Sequence, residues 1–239
     1  GGAAFTVVYL ICILIVGLPI LMSELVIGRK TQLSPVGAFN VLANKSNWRW
    51  VGFLGVASAF VILSFYGVVG GWTLRYTFFS LSGGFEALSG NPGASGDMFN
   101  SFISNSINPI IWQLIFMFFC MGIIIKGVKS GIEEGSKIMM PLIIAILAVL
   151  AVRGVTLDGG SDGLTFLFKP KFSDLTPSSI VLALGHAFFT LSLGMGTMIT
   201  YGSYLDKKQN LLNSAIWVIL LDTAIAMLAG TAIFTIVFA

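Results

Sequence analysis

Charge is what this sequence has least of: Asp, Glu, Lys and Arg make up 10% of its 239 residues, while hydrophobic residues make up 56%. Soluble domains carry about 25% charged residues, so an ordinary water-facing surface is excluded and a bilayer is the natural solvent. Histidine occurs once, as His186, and cysteine twice, as Cys12 and Cys120, both inside apolar runs. A thiol in such a run packs as a small hydrophobe, which argues against a disulfide framework. With no metal-ligand cluster and no nucleophile motif, a polytopic membrane enzyme has few catalytic parts to work with. Basic residues exceed acidic ones by only three, 13 against 10, and their scatter speaks against a nucleic-acid partner.

What the chain has in abundance is long apolar runs. A membrane-spanning helix needs about 20 largely apolar residues, because hydrocarbon offers no partner for a bare peptide group. Runs at about 5–28, 51–81, 109–126, 138–156 and 211–239 meet that need, and a sixth, at about 178–204, is interrupted. The chain therefore reads as an all-α, polytopic membrane protein with the lipid bilayer as its surroundings, and 1–239 as a single transmembrane domain. Of the 13 basic residues, nine (Arg29, Lys30, Lys45, Arg49, Lys126, Lys129, Lys137, Lys207 and Lys208) fall in alternate connections. By the positive-inside rule those connections are cytoplasmic, which places the protein in the plasma (inner) membrane as a multi-pass protein. Arg75 is left to snorkel from the outer end of the second span. The first residue is Gly rather than Met, the opening run has no basic leader, and the last residues still lie in an apolar run. These features read as a fragment of a longer protein.

The connections carry their own signals. Residues 82–108, rich in Gly, Ser, Asn and Pro, read as an outer loop, as do 157–176. Residues 31–47, with Pro35 among loosely spaced apolar positions, suit a short interfacial helix before Trp48 and Trp50 anchor the next span.

Two features point to function from the residues alone. In the interrupted run, Phe188-Phe189-Thr190-Leu191-Ser192-Leu193-Gly194-Met195-Gly196-Thr197, hydroxyls and paired glycines stand where a plain anchor would carry Leu or Ala. Either the helix breaks and its freed carbonyls face an ion or a polar substrate, or it continues and packs tightly on small residues. Asp222, eleven residues into the last run, is the second feature. A carboxylate there costs several kcal/mol unless it is paired, so it marks a functional site.

Four stretches, in order, carry a resemblance to a known family. They are Gly1-Gly2-Ala3-Ala4-Phe5 through Tyr9 to Gly17-Leu18-Pro19, Glu24 and Gly28-Arg29; Phe65-Tyr66 with Trp72-Thr73-Leu74; Gly131-Ile132-Glu133-Glu134 with Lys137 and Pro141; and Phe188 to Thr197 with Tyr201 and Tyr204. Together they resemble the neurotransmitter:sodium symporters, in particular the bacterial amino-acid transporter branch, over helices two to seven of about a dozen. The resemblance implies part of a leucine-transporter-type fold of two inverted repeats with a broken sixth helix. It implies a sodium-coupled symporter that imports amino acids by alternating access. A transport-inactive interaction protein on the same fold is the alternative.

Residue by residue, the resemblance implies that Tyr66 binds a substrate carboxylate, with Ile62 one turn earlier, Phe189 as an aromatic lid and Ser192 nearby. Met195 faces the substrate side chain, and its flexible thioether suits a roomy pocket for large hydrophobic or aromatic amino acids. Thr190 and Asp222 fall to sodium. Tyr9, His186 and Asp222 occupy the chloride-site positions. His186 stands where many members carry Gln, and Asp222 where Asn is common. This leads to the expectation that the Asp222 carboxylate replaces chloride, so that sodium is required and chloride is not, with no organic cofactor. Glu24 either snorkels or caps a broken neighbour in a gating role. Gly131 and Pro141 frame a segment that loosens to open an inner water path. The oligomeric state is left open by these residues.

Overall fold

The computed structural model describes residues 2–86 and 93–239, all of whose regular elements are helical. The chain divides into two compact units. Unit 1 comprises Gly1–Ala59 and Pro141–Ala239, and unit 2 comprises Phe60–Met140.

Unit 1 begins with α1 (Gly2–Cys12), a π-helical turn (Ile13–Gly17) and α2 (Leu18–Thr31), which together form one apolar span, Gly2–Thr31. The wide turn has a local cause. Pro19 has no amide and its ring crowds the carbonyl four residues back, and the π turn relieves that crowding without ending the helix. Gln32 closes α2 in a left-handed conformation (φ 53°), its amide donating to the Gly28 carbonyl at 2.8 Å. The expected interfacial helix is α3 (Pro35–Leu42), started by Pro35 and by the Ser34 side chain, which accepts from the Gly37 amide at 3.3 Å.

The interrupted run is broken. Its first half is α9 (Pro177–Thr190) and its second half α10 (Thr197–Ser203). Thr176 and Ser179 start α9 with a reciprocal capping box. The last span of unit 1 is α11 (Leu211–Val237), opened by Asn210, whose side chain accepts from the Asn213 amide at 3.1 Å.

The core of unit 1 is drawn from these helices: Tyr9, Ile13, Leu21 and Leu25 pack with Ala183, Ala187, Leu191, Leu193, Leu211, Ala215 and Ile219. Glycine sets the closest approach. A Cβ on Gly28 would overlap the Ile199 carbonyl, and one on Gly202 would lie 2.6 Å from the Leu25 carbonyl oxygen. The backbones of α2 and α10 therefore touch, as small residues allow in membrane helices. Away from this core the spans present large apolar side chains outward, Leu14 and Ile15 of the first span being 60% and 68% exposed, as a lipid-facing surface requires.

Unit 2 holds most of α4 (Arg49–Leu81), then α5 (Ala94–Ser104), α6 (Asn108–Ile125), a second π-helical turn (Val128–Glu133) and the start of α7 (Glu134–Val155). The spans α4, α6 and Ser130–Val155 are each long and apolar enough to cross a bilayer.

Two expectations are refined. Residues 82–108, read as loop from composition, contain α5; residues 87–92 of that stretch lie outside the described residues. The 157–176 stretch contains α8 (Gly160–Phe168) and a 3₁₀ turn (Phe172–Asp174). Each helix is short and amphipathic and buries an anchor, Phe102 in α5 and Leu167 in α8. Burial of one apolar face outweighs the helix-breaking composition around it.

Candidate functional site

The functional residues of unit 1 are organised by the way α9 ends. The Leu193 amide donates to the Phe188 carbonyl (2.9 Å) and the Ser192 amide to the Phe189 carbonyl (3.1 Å), with Ser192 left-handed at φ 53°. This is a Schellman closure. It is unusual in placing a serine where glycine is normal, a choice that costs about 1 kcal/mol. Gly194 and Gly196 follow at φ 77° and 73°, and the Gly196 carbonyl starts α10 by accepting from the Thr200 amide at 3.0 Å. The closure engages the carbonyls of Ala187, Phe188 and Phe189. Those of Thr190, Leu191 and Ser192 have no backbone donor among the described residues, and they are the oxygens such a break makes available to a cation.

The break is held from the side. Glu24, 8% exposed on α2, accepts from the Gly194 amide through Oε1 at 2.7 Å. Its Oε2 is buried and has no partner among the described residues. Of the two roles open to Glu24, snorkelling and capping a broken neighbour, the structure shows capping.

Asp222 is paired as a membrane carboxylate must be. Its Oδ1 accepts from the Thr190 hydroxyl at 2.9 Å and its Oδ2 from the Tyr9 hydroxyl at 3.4 Å. The two donors come from different helices, α9 and α1, so Asp222 ties both to α11. The Tyr9 ring lies 5.0 Å from the His186 ring, centroid to centroid, at 48°. Tyr9 is thus flanked by His186 on one side and by Asp222 on the other. Thr190 keeps its oxygen lone pairs while donating its proton, so the hydrogen-bonded Thr190 hydroxyl and Asp222 carboxylate offer oxygen donors only. That chemistry suits an alkali or alkaline-earth cation rather than a transition metal.

The remaining candidates lie elsewhere. Phe189, Ser192 and Met195 are in or beside the break in unit 1, whereas Ile62 and Tyr66 belong to the unit 2 part of α4, where the Tyr66 ring meets Phe65 edge to face at 6.1 Å. The substrate pocket that joins these two sets remains an expectation. Gly131 sits in the π turn, where a Cβ would overlap the Ile123 carbonyl. Pro141 lies inside α7, which runs through it without a break. In this conformation the segment that the two residues frame is helical throughout. Two contacts went unforeseen in detail: the Gly194 amide on Glu24 and the Tyr9–His186 ring pair. The first could have been suspected from an acid in an apolar span, the second from the family resemblance, which already groups Tyr9 with His186.

A run of apolar spans, one of them broken midway beside a hydrogen-bonded carboxylate and hydroxyl, is the architecture of a multi-pass membrane protein with a broken helix. The chain belongs to the Sodium:neurotransmitter symporter family, which matches residues 1–88 and 98–238. It is 41% identical over 238 residues to YhdH, an uncharacterized sodium-dependent transporter of Bacillus subtilis, covering all of this chain and 52% of that protein. It is 35% identical over 246 residues to an uncharacterized sodium-dependent transporter of Haemophilus influenzae, covering all of this chain and 54% of that one. The crystal structure of MhsT in complex with L-phenylalanine superposes on it with a TM-score of 0.92 at 46% identity, over all of this chain and 54% of MhsT. The chain spans about half the length of these relatives.

Proposed function

We propose that the complete protein containing this chain is a sodium-coupled symporter that imports large hydrophobic or aromatic amino acids by alternating access. The observation that carries the reading is the break itself: Thr190 donates to Asp222 at the point where α9 ends and its carbonyls are bared. Sodium, as the co-transported ion, is bound there by Thr190 and Asp222. The substrate carboxylate is bound by Tyr66, and its side chain by Ile62, Phe189 and Met195, with Ser192 beside it. The L-phenylalanine bound to MhsT, 46% identical, supports the substrate class.

The same geometry supports chloride independence. Asp222 is a fixed negative charge that accepts from Tyr9, at a position where a mobile anion would otherwise have to receive that hydroxyl. Sodium binding stabilises one state of the transporter, and substrate completes the site whose occupancy permits inward opening. Glu24 holds the break during this cycle, and the Gly131–Pro141 segment supplies the inner opening.

The test is uptake of radiolabelled L-phenylalanine into proteoliposomes containing the complete protein. The expected result is uptake driven by an inward sodium gradient, indifferent to replacement of chloride by gluconate, and abolished by Tyr66→Ala. Substrate binding without uptake would instead identify a transport-inactive relative. Uptake that requires chloride would remove the assigned role of Asp222.

A further inference from the structure

The outer end of unit 2 has a surplus of hydrogen-bond donors that the transport site does not use. It is built by close packing of α4 on α6. A Cβ on Gly71 would lie 2.6 Å from the Gln113 amide nitrogen, and one on Gly70 would lie 2.5 Å from the Phe116 ring. Only glycine lets the two helices approach so closely. One turn beyond Gly71, this packing sets Arg75 among three aromatic rings, its guanidinium carbon 5.1 Å from the Phe79 centroid and 6.0 Å from those of Phe102 and Trp112. These rings belong to α4, α5 and α6 in turn.

A cleft of about 290 Å³ opens beside this cation, lined by Arg75, Tyr76, Phe79, Phe102, Asn105 and Asn108, among others. Cation–π contacts hold a guanidinium in place but leave its N–H groups wanting acceptors. No carboxylate meets that need: among the described residues the one ion pair is Lys137–Glu133. Two neighbouring donors are in the same position, because the Tyr76 hydroxyl and the Trp72 indole nitrogen are buried without a partner among the described residues. Buried polar groups are rarely left unpaired. Arg75 and Tyr76 line the cleft without acceptors among the described residues, and the guanidinium in particular marks a site for an anion.

Its position identifies the anion. Arg75 lies six residues before the end of α4, about 9 Å along the axis, on the side assigned to the exterior by the basic-residue pattern. Trp112 lies within the first turns of α6, a span end of the kind at which aromatic belts form. The lining combines polar Asn105 and Asn108 with aromatic Phe79 and Phe102, matching a molecule with an anionic head and an apolar tail. We propose that this cleft binds the phosphate of an outer-leaflet phospholipid, with Arg75 as the principal contact and the lipid glycerol and upper acyl chains against Phe79 and Phe102. This site is separate from the proposed ion and substrate residues and does not depend on the transport reading.

The test is native mass spectrometry of the complete protein released from nanodiscs containing phosphatidylglycerol, repeated with diacylglycerol, which lacks the phosphate. Wild type should retain phosphatidylglycerol but not diacylglycerol, and Arg75→Gln should lower the retained fraction about tenfold. Tyr76→Phe, which removes one hydroxyl and keeps the ring, should lower it two- to threefold and covers the case in which Arg75→Gln fails to fold. Equal retention by wild type and Tyr76→Phe, with Arg75→Gln either equal or unfolded, would overturn the proposal. Displacement of the lipid by millimolar inorganic phosphate would also overturn it, in favour of a site for the free anion.

Discussion

Two segments of this chain are weakened in similar ways and end differently. Residues 191–196 combine a left-handed serine with two left-handed glycines, and the helix breaks. Residues 127–141 combine Gly127 at φ 82°, a π turn through Gly131 and a proline inside α7, yet the chain from 128 to 155 stays helical. The difference lies in what replaces the lost hydrogen bonds. At the break, the Schellman closure takes up carbonyls of α9, and Glu24 accepts the Gly194 amide. At 128–141, Pro141 withholds one amide, and an exposed Lys137–Glu133 pair at 2.9 Å lies on the helix surface. Such an exposed pair contributes little. A helix breaks where the fold supplies substitute partners, and residues that merely tolerate a break leave it intact.

This contrast can be attacked at the supports of the break. The largest effect should come from Gly28→Val, whose side chain must displace the Ile199 backbone on α10. Overpacking of that kind costs about 3 kcal/mol, and the complete protein should lose its monodisperse peak in fluorescence-detected size-exclusion chromatography. Next is Glu24→Ala, which takes from the Gly194 amide its charged acceptor at 2.7 Å. A loss of about 2 kcal/mol is expected, read as a fall in melting temperature. Glu24→Gln, which keeps one carbonyl oxygen, should lose less than half as much, and equal losses would show that the cap is not what holds the break.

Smaller effects distinguish the two donors on Asp222. Thr190→Val removes the 2.9 Å bond and an oxygen of the proposed ion site, so the sodium concentration needed for half-maximal substrate binding should rise about tenfold, equivalent to about 1.4 kcal/mol. Tyr9→Phe removes only the 3.4 Å contact, which is long for a hydroxyl donor, and should shift it less than threefold. Ser192→Gly should be the mildest change, stabilising by about 0.5–1 kcal/mol because it relieves the left-handed serine. A destabilisation there would mean that the serine hydroxyl is bound to something the backbone account omits.

Much of this was legible in the residues. The spans announce themselves by length, Asp222 by the cost of a charge in an apolar run, and the break by its hydroxyls and glycines. Composition left the break undecided because it records which residues permit a turn and not which distant groups will accept its amides. Glu24 lies 170 positions from Gly194, a separation at which no local pattern signals a contact. The short helices α5 and α8 were hidden for the opposite reason: their local composition is loop-like, and one buried anchor each, Phe102 and Leu167, holds them. The π turn before Pro19 is likewise a backbone response to a proline, visible as the proline and not as the turn. That Ile62 and Tyr66 share a pocket with Phe189, Ser192 and Met195 is suggested by the family resemblance and by no local pattern.

In the proposed cycle the break at 191–196 is the element that responds to sodium. Hydrogen–deuterium exchange of the complete protein, in sodium and in potassium at matched ionic strength, tests it most directly. Sodium should slow exchange of the amides from Leu191 to Met198, and Asp222→Asn should remove the effect. Exchange across these amides that is identical in sodium and potassium would contradict it.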